Sequence, residues 1–290
     1  MNKNKYNKNF YIYLLIFLII LLLIIFYLFD QKNIKVQKYL KNIYSNSKFL
    51  HNKFPHIINE KIQPKNINNI IVIDNFLSND YFMFLNSQFN GKKFKSKDVL
   101  LRKASGIDFF NLHNNSEYTG FLELFYSNEI LNTLTDTLKK PIQRPPLNDA
   151  NACSLLIYSN KGDHIDWHLD YSNYNGDRFV VLLTLVNENK TKDGLSENEF
   201  QYIYNSGRAN AMNESNKTGE KESDKNTYTL KMKPNTLVIF KGSEIKHKST
   251  AIGDGEKRIL LSMVFCDICQ EKKNIINFIY EKIKNSIVYT

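Results

Sequence analysis

The sequence predicts a mainly β domain, a sandwich or barrel with flanking helices, carried behind one membrane-spanning helix. Three observations lead there: an unbroken apolar run near the N-terminus, two segments of helical periodicity before residue 140, and a series of short strand-like runs after Ala152. The chain has 290 residues, 42% hydrophobic and 23% charged, the composition of an ordinary globular protein large enough for one sizeable domain.

Residues 1–9 form a short polar tail. From Phe10 to Phe29 every side chain is aliphatic or aromatic, roughly the 20 residues a helix needs to cross a bilayer. The run exceeds the roughly 7–15 apolar residues of a cleavable signal, and no small-x-small site precedes Asp30, so it reads as an anchor retained in membrane lipid. It has no polar face, which argues against a core helix. Lys3, Lys5 and Lys8 precede it while Lys32, Lys35, Lys38 and Lys41 follow, so the positive-inside rule hardly discriminates. A short tail before a long domain suits a single-pass signal anchor in the endomembrane system (ER or Golgi), with the domain in the lumen. Residues 30–67 are polar, Lys/Asn-rich and aperiodic, a stalk; His51 and His56 within it carry no assigned chemistry.

The folded domain is expected over 68–290, with its barrel over about 150–268. It opens with the apolar run Ile70 to Ile73, a strand, then Ser78 as N-cap of a helix over Asp80 to Phe89. A second helix is expected from Glu117 to Lys139, with Phe121, Leu124, Leu131, Leu134 and Leu138 on one side, ended by Pro141 and Pro145-Pro146. After Ala152 come short strands: 154–158, 165–169, 178–186, 200–204, 228–232, 236–240 and 257–265. Their spacing indicates a sandwich or barrel rather than a βαβ sheet. Between Asn205 and Asn226 lies a polar loop, and a last helix is expected over Glu271 to Lys284 with Ile275, Ile276, Ile279 and Ile283 on one face.

Composition excludes several function classes. The net charge of +10 would suit a nucleic acid, but the lysines are spread along the chain with no basic helix interleaved with aromatics, which is a solvated surface. There is no G-x-S-x-G and no Walker-type run. Three cysteines make no disulfide framework. Cys266 and Cys269 form a lone CxxC, a weak zinc signal; at most they pair in an oxidising compartment. Asn114, Asn189, Asn213 and Asn216 begin N-x-S/T sequons, which matter only in that compartment.

The chemistry concentrates in two places. Residues two apart in a strand share a face, so His168-Leu169-Asp170 offers an imidazole and a carboxylate side by side. His247, after the apolar strand Leu237 to Phe240 and the Gly242-Ser243 turn, offers another imidazole. Two histidines and one carboxylate form the facial triad of non-haem Fe(II) oxygenases, with positions left for substrate and O2. After Gly253-Asp254-Gly255, a strand is expected to run back antiparallel to the one bearing His247 and to carry Arg258, whose guanidinium fork suits a carboxylate, toward the same cavity; alternation turns Lys257 outward. His164-Ile165-Asp166 is a second H-x-D on the same strand face, and alternation alone does not separate the two pairs.

These residues resemble the Fe(II)/2-oxoglutarate dioxygenases of the prolyl 4-hydroxylase type. The likeness covers most of the chain after the stalk: Ile73 to Ser78 is similar to the first strand and helix, Tyr158 to Asp170 to the Y…G…H-x-D run, Arg178 to Asn187 to the strand closing on L-x-N, and Pro234 to Arg258 to the P-x-x-x-x-x-F…H…R end. The resemblance implies a double-stranded β-helix (jelly roll, cupin-like) with helices on one side. It further implies Fe(II) held by His168, Asp170 and His247, 2-oxoglutarate anchored by Arg258 with Tyr158 lining its pocket, ascorbate as an accessory reductant, and hydroxylation of a substrate, a peptidyl residue such as proline being preferred. Family spacing from Gly162 favours His168/Asp170 over His164/Asp166, and a triad carboxylate favours oxygenation over halogenation. The family's Gly-Gly-x-Thr segment is replaced by Asp193 to Phe200, which leaves the substrate class open. A nucleic-acid demethylase of the same superfamily would carry a second arginine where Val264 stands; a non-catalytic jelly-roll binding module is the other alternative.

Overall fold

The computed structural model describes residues 10–27 and 53–272, apart from 100, 147–148, 150, 191–193 and 205–226, together with Ile34 and Lys38. The expected polar loop, and the expected C-terminal helix beyond Lys272, lie outside the described residues. Glu271 is extended, bridging Tyr174, rather than opening a helix. Helix α1 (Phe10–Tyr27) is long and apolar enough to cross a membrane, and none of it is buried by the rest of the chain.

Among the described residues twelve strands follow: β1 (Lys65–Ile67), β2 (Ile70–Ile73), β3 (Lys97–Val99), β4 (Arg102–Ile107), β5 (Cys153–Tyr158), β6 (His164–His168), β7 (Arg178–Asn189), β8 (Phe200–Tyr204), β9 (Tyr228–Leu230), β10 (Leu237–Lys241), β11 (Ile245–Ser249) and β12 (Glu256–Cys266). All pair antiparallel, in the order β1-β2-β10-β7-β12-β5-β4-β6-β11-β8-β9, with β3 on β4. From β5 onward the chain crosses between two faces, β5-β12-β7-β10 on one and β6-β11-β8-β9 on the other. Strand β4 pairs with both β5 and β6 and joins them at one end. This is the jelly-roll double-stranded β-helix.

Alternation along the strands divides the apolar residues into two cores. Leu155, Ile157, Val181, Leu183, Ile259 and Leu261 face outward from the larger face and pack with the helices α2 (Asn79–Ser87), α3 (Phe109–Asn114), α4 (Thr119–Tyr126) and α5 (Asn128–Leu138). Tyr158, Val180, Leu182, Phe200, Phe240 and Leu260 face the barrel interior. Strand β7 is therefore buried on both faces over Arg178 to Leu185, and only the minor face is left partly wet.

Local structure departs from expectation at three points. The single helix expected over 117–139 is a 3-10 turn and two helices, because Ser127 leaves helical geometry and its Oγ accepts from Ile130 N at 3.2 Å, capping α5. Ser78 precedes α2 as expected, but its Oγ donates to His56 O at 2.7 Å instead of capping. Residues 54–67, expected in the stalk, are part of the fold: Phe54, Ile57 and Ile58 are buried in the helical core and β1 pairs with β2. The amides of Ile57 and Ile58 both donate to Glu129 Oε2 at 3.0 Å, which fastens this segment to α5. A few apolar residues among lysines and asparagines lack periodicity, so their burial had no sequence signal.

Candidate metal centre

The interior face of β5 and β12 is a ladder of cross-strand pairs: Ser154 with Ser262, Leu156 with Leu260, Tyr158 with Arg258. These rungs line a cavity of about 740 Å³, which His168 and His247 close from the opposite sheet and Asp170 from the loop after β6. A polar rung, an apolar rung and a buried polar floor follow one another. Such a cavity admits a polar ligand at its base while keeping water out of its middle.

One ligand-capable atom from each of His168, Asp170 and His247 lies within 4.8 Å of the others. His168 and His247 are register partners across β6 and β11, with ring centroids 4.1 Å apart. His247 Nε2 lies 3.7 Å from Asp170 Oδ2. The imidazoles are oriented by the backbone: His168 Nδ1 lies 2.7 Å from Asp166 O and His247 Nδ1 lies 3.1 Å from Ile245 O. A ring nitrogen facing a carbonyl donates to it, which leaves Nε2 of each ring as the atom turned toward an ion. Burial, with His168 alongside, holds the His247 imidazole down to about 4 and therefore neutral. Two imidazoles and one carboxylate are a donor set that suits Fe(II).

The two H-x-D pairs, which strict alternation places on one face, are separated by a register shift. Opposite His247 and Ser249 stand His168 and Ile165, so β6 has one residue more than β11 between these partners. The bulge turns Ile165 and His168 into the cavity. His164 and Asp166 then belong to the other side, where His164 Nε2 lies 3.8 Å from the exposed Asp166. Asp170 itself lies beyond the end of β6, and its amide donates to Gly242 O at 3.0 Å in the turn between β10 and β11.

Arg258 is 1% exposed. Its Nη1 donates to Ser249 Oγ at 2.9 Å and to Asn198 Oδ1, its Nη2 lies 3.0 Å from Met232 Sδ, and its Nε has no partner. Burial lowers it to about 10, so it stays charged at neutral pH. Among the described residues no carboxylate pairs with it. Tyr158, its 1% exposed cross-strand partner, has its phenol raised by burial, partly offset by the guanidinium. A cation this deep, facing a cavity with donor capacity left over, is set up to receive an anion.

Asn198, Ser249 and Met232 are site residues that no sequence motif marks. Ser249 was within reach, since it sits two residues from His247 on β11 and so shares its face. Asn198 comes from the irregular segment between β7 and β8, which has no period to read. That segment is tied to the barrel by Ser196 to Asn187 and Glu197 N to Glu256 Oε1 at 2.7 Å.

The fold and site together define a jelly roll with a His/Asp/His cluster and a buried arginine facing one cavity. No protein-family model and no curated protein matches the chain. Among solved structures it is similar to a prolyl-4-hydroxylase from Pseudomonas putida, at 13% identity and a TM-score of 0.43 over 71% of this chain and 94% of that one. A prolyl hydroxylase from Trichoplax adhaerens, in complex with a hypoxia inducible factor peptide fragment, is 12% identical at a TM-score of 0.44 over 79% and 92%. A 2OG-Fe(II) oxygenase family oxidoreductase from Burkholderia pseudomallei is 10% identical at a TM-score of 0.46 over 71% and 89%.

Proposed function

We propose that this chain is an Fe(II)- and 2-oxoglutarate-dependent dioxygenase that hydroxylates a substrate, a peptidyl residue such as proline being preferred, with ascorbate as accessory reductant. The observation that carries the reading is the cavity with a His/Asp/His cluster on one wall and an unpaired buried guanidinium at its floor. His247 and Ser249, which bonds Arg258, are two residues apart on β11, a step of about 6.6 Å along a strand. A short dicarboxylate that reaches an ion at one end would meet Arg258 at the other.

The residue roles follow. His168 and His247 would present Nε2 lone pairs, and Asp170 a negative charge, to Fe(II). With 2-oxoglutarate and O2 the metal supplies the oxidising chemistry, which yields succinate, CO2 and a hydroxylated product. Arg258 would take the far carboxylate, with Ser249, Asn198 and Tyr158 fixing the fork. Leu156, Leu182 and Leu260 keep the middle of the cavity dry. Tyr171 and Leu101, both lining the cavity and more than half exposed, offer apolar surface to a substrate chain.

We further infer a membrane-anchored enzyme, held in lipid through residues 10–29 with the domain on the lumenal side. The bonded Cys266–Cys269 pair supports that compartment. So does the exposed Asn114 sequon, although Asn189, buried and donating to Glu256 at 3.0 Å, could not serve as one. The test is succinate release by the full chain in detergent, supplied with Fe(II), ascorbate and 2-oxoglutarate. Release that His168→Ala abolishes is expected; no release from the wild type would leave the binding-module alternative.

A further inference from the structure

We infer that Gly242 is a positioning residue for Asp170, a role that rests on the metal reading above. Asp170 is the one member of the cluster outside a strand. No ladder fixes its backbone, which is fastened at the turn between β10 and β11: Asp170 N donates to Gly242 O at 3.0 Å, while Gly242 N donates to Arg178 O at 2.9 Å at the start of β7. Both backbone groups of Gly242 are therefore committed, one to each end of the loop 170–178.

The contact is close enough to exclude any side chain. A Cβ at Gly242 would stand 2.4 Å from Asp170 O, 2.8 Å from its Cβ and 3.2 Å from its carbonyl carbon. These are backbone atoms or atoms fixed to the backbone, so no rotamer change relieves the overlap. Gly242 does not have a positive φ, so alanine fits the local conformation and its cost is steric alone. The loop has little freedom to retreat. Its far end is tied down where Gly176 N donates to Ile268 O at 3.1 Å and Asp177 N to Asp267 Oδ1 at 2.8 Å. A methyl at 242 therefore displaces the start of the loop, which is Asp170.

The same turn leads directly into β11 and His247. Gly242 thus sets the carboxylate against the imidazole, holding their ligand atoms at 3.7 Å. A displacement of about 1 Å at such a constellation is enough to lose most of its function.

The experiment is a Co(II) titration of the full chain in detergent, read by quenching of Trp167, the chain's only tryptophan and the neighbour of His168. Gly242→Ala is expected to weaken Co(II) affinity at least tenfold, with a metal-free melting temperature that the clash lowers by a few degrees and a melt that stays cooperative, so that the domain is still folded. In an Asp170→Ala background the same change is expected to cost nothing further. A loss that persists undiminished in that background overturns positioning in favour of a general structural role. Wild-type affinity in Gly242→Ala overturns it outright. A wild type that binds no Co(II) removes the metal reading, and Gly242's role with it.

Discussion

Asn198 accepts hydrogen bonds from both Arg258 Nη1 and Ser249 Oγ, the latter at 3.1 Å, while its own amide nitrogen donates to Thr250 O. The last bond fixes which end of the amide faces the guanidinium. Asn198 is 1% exposed, so it acts as a buried bracket that aims the fork of Arg258 into the cavity.

Removing the bracket leaves part of a buried cation without an acceptor. Hydrogen bonds to charged groups contribute about 1.5–3 kcal/mol, so Asn198→Ala is expected to raise the KM for 2-oxoglutarate by roughly ten- to a hundredfold. Metal affinity should not change, because the hydrogen bonds of Asn198 go to Arg258, Ser249 and Thr250 and not to the triad. Steady-state succinate release against 2-oxoglutarate concentration, beside a Co(II) titration, gives both quantities; an unaltered KM would mean that Arg258 is held well enough without it.

The bulge in β6 makes a sharp statement about two histidines four residues apart. His168→Ala is expected to abolish metal binding, whereas His164→Ala should leave it within about twofold of wild type, since His164 faces away and pairs with Asp166. The reverse pattern would show that the bulge is absent and that alternation runs unbroken through β6.

How much of this was legible depends on where period two survives. Alternation separated Arg258 from Lys257, and Arg258 is buried beside Tyr158 as that parity requires, but β12 crosses to the opposite face and pairs with β5 and β7 rather than with β11 as the tight turn suggested. Seven strands after Ala152 were visible as short apolar runs between turn residues, whereas β11, which carries His247 and Ser249, was not among them. His164 and His168 were not separable from residues alone, because a bulge leaves no mark in the side-chain pattern. Strand β4 and the buried Phe54 were missed since lysines and asparagines around them hide any apolar period. Asn198 and Gly242 act from a loop and a turn, and their roles come from distant pairings that no local spacing encodes.

Cys266 and Cys269 close a loop only three positions apart, so their bond removes little freedom from the unfolded chain, about 2 kcal/mol on the loop-entropy scale. Reduction should therefore lower the melting temperature by several degrees without unfolding the domain. Differential scanning fluorimetry with and without a dithiol reads this directly; no shift would mean that the bond adds nothing to the native state.

Glu123 gives the fold a pH dependence of defined sign. It sits in α4 with 5% exposure, its Oε2 has no hydrogen-bond partner, and burial raises it to about 7. A raised carboxyl means the native state holds a proton that the unfolded chain has released, so stability falls as pH rises from about 4.5 through 7. The shift corresponds to at most about 3 kcal/mol, the order of several degrees in a domain of this size. Glu123→Gln, which keeps the shape and removes the charge, is expected to melt higher than wild type at pH 8 and to match it at pH 4. His113 does not counterfeit this result. Buried and lowered to about 4, its imidazole contributes stability that is present above about 6.5 and lost as pH falls, and it does so equally in both proteins. Thermal melts of the pair across pH 4 to 8 isolate the carboxyl, and an unchanging difference between them would place its charge in contact with water.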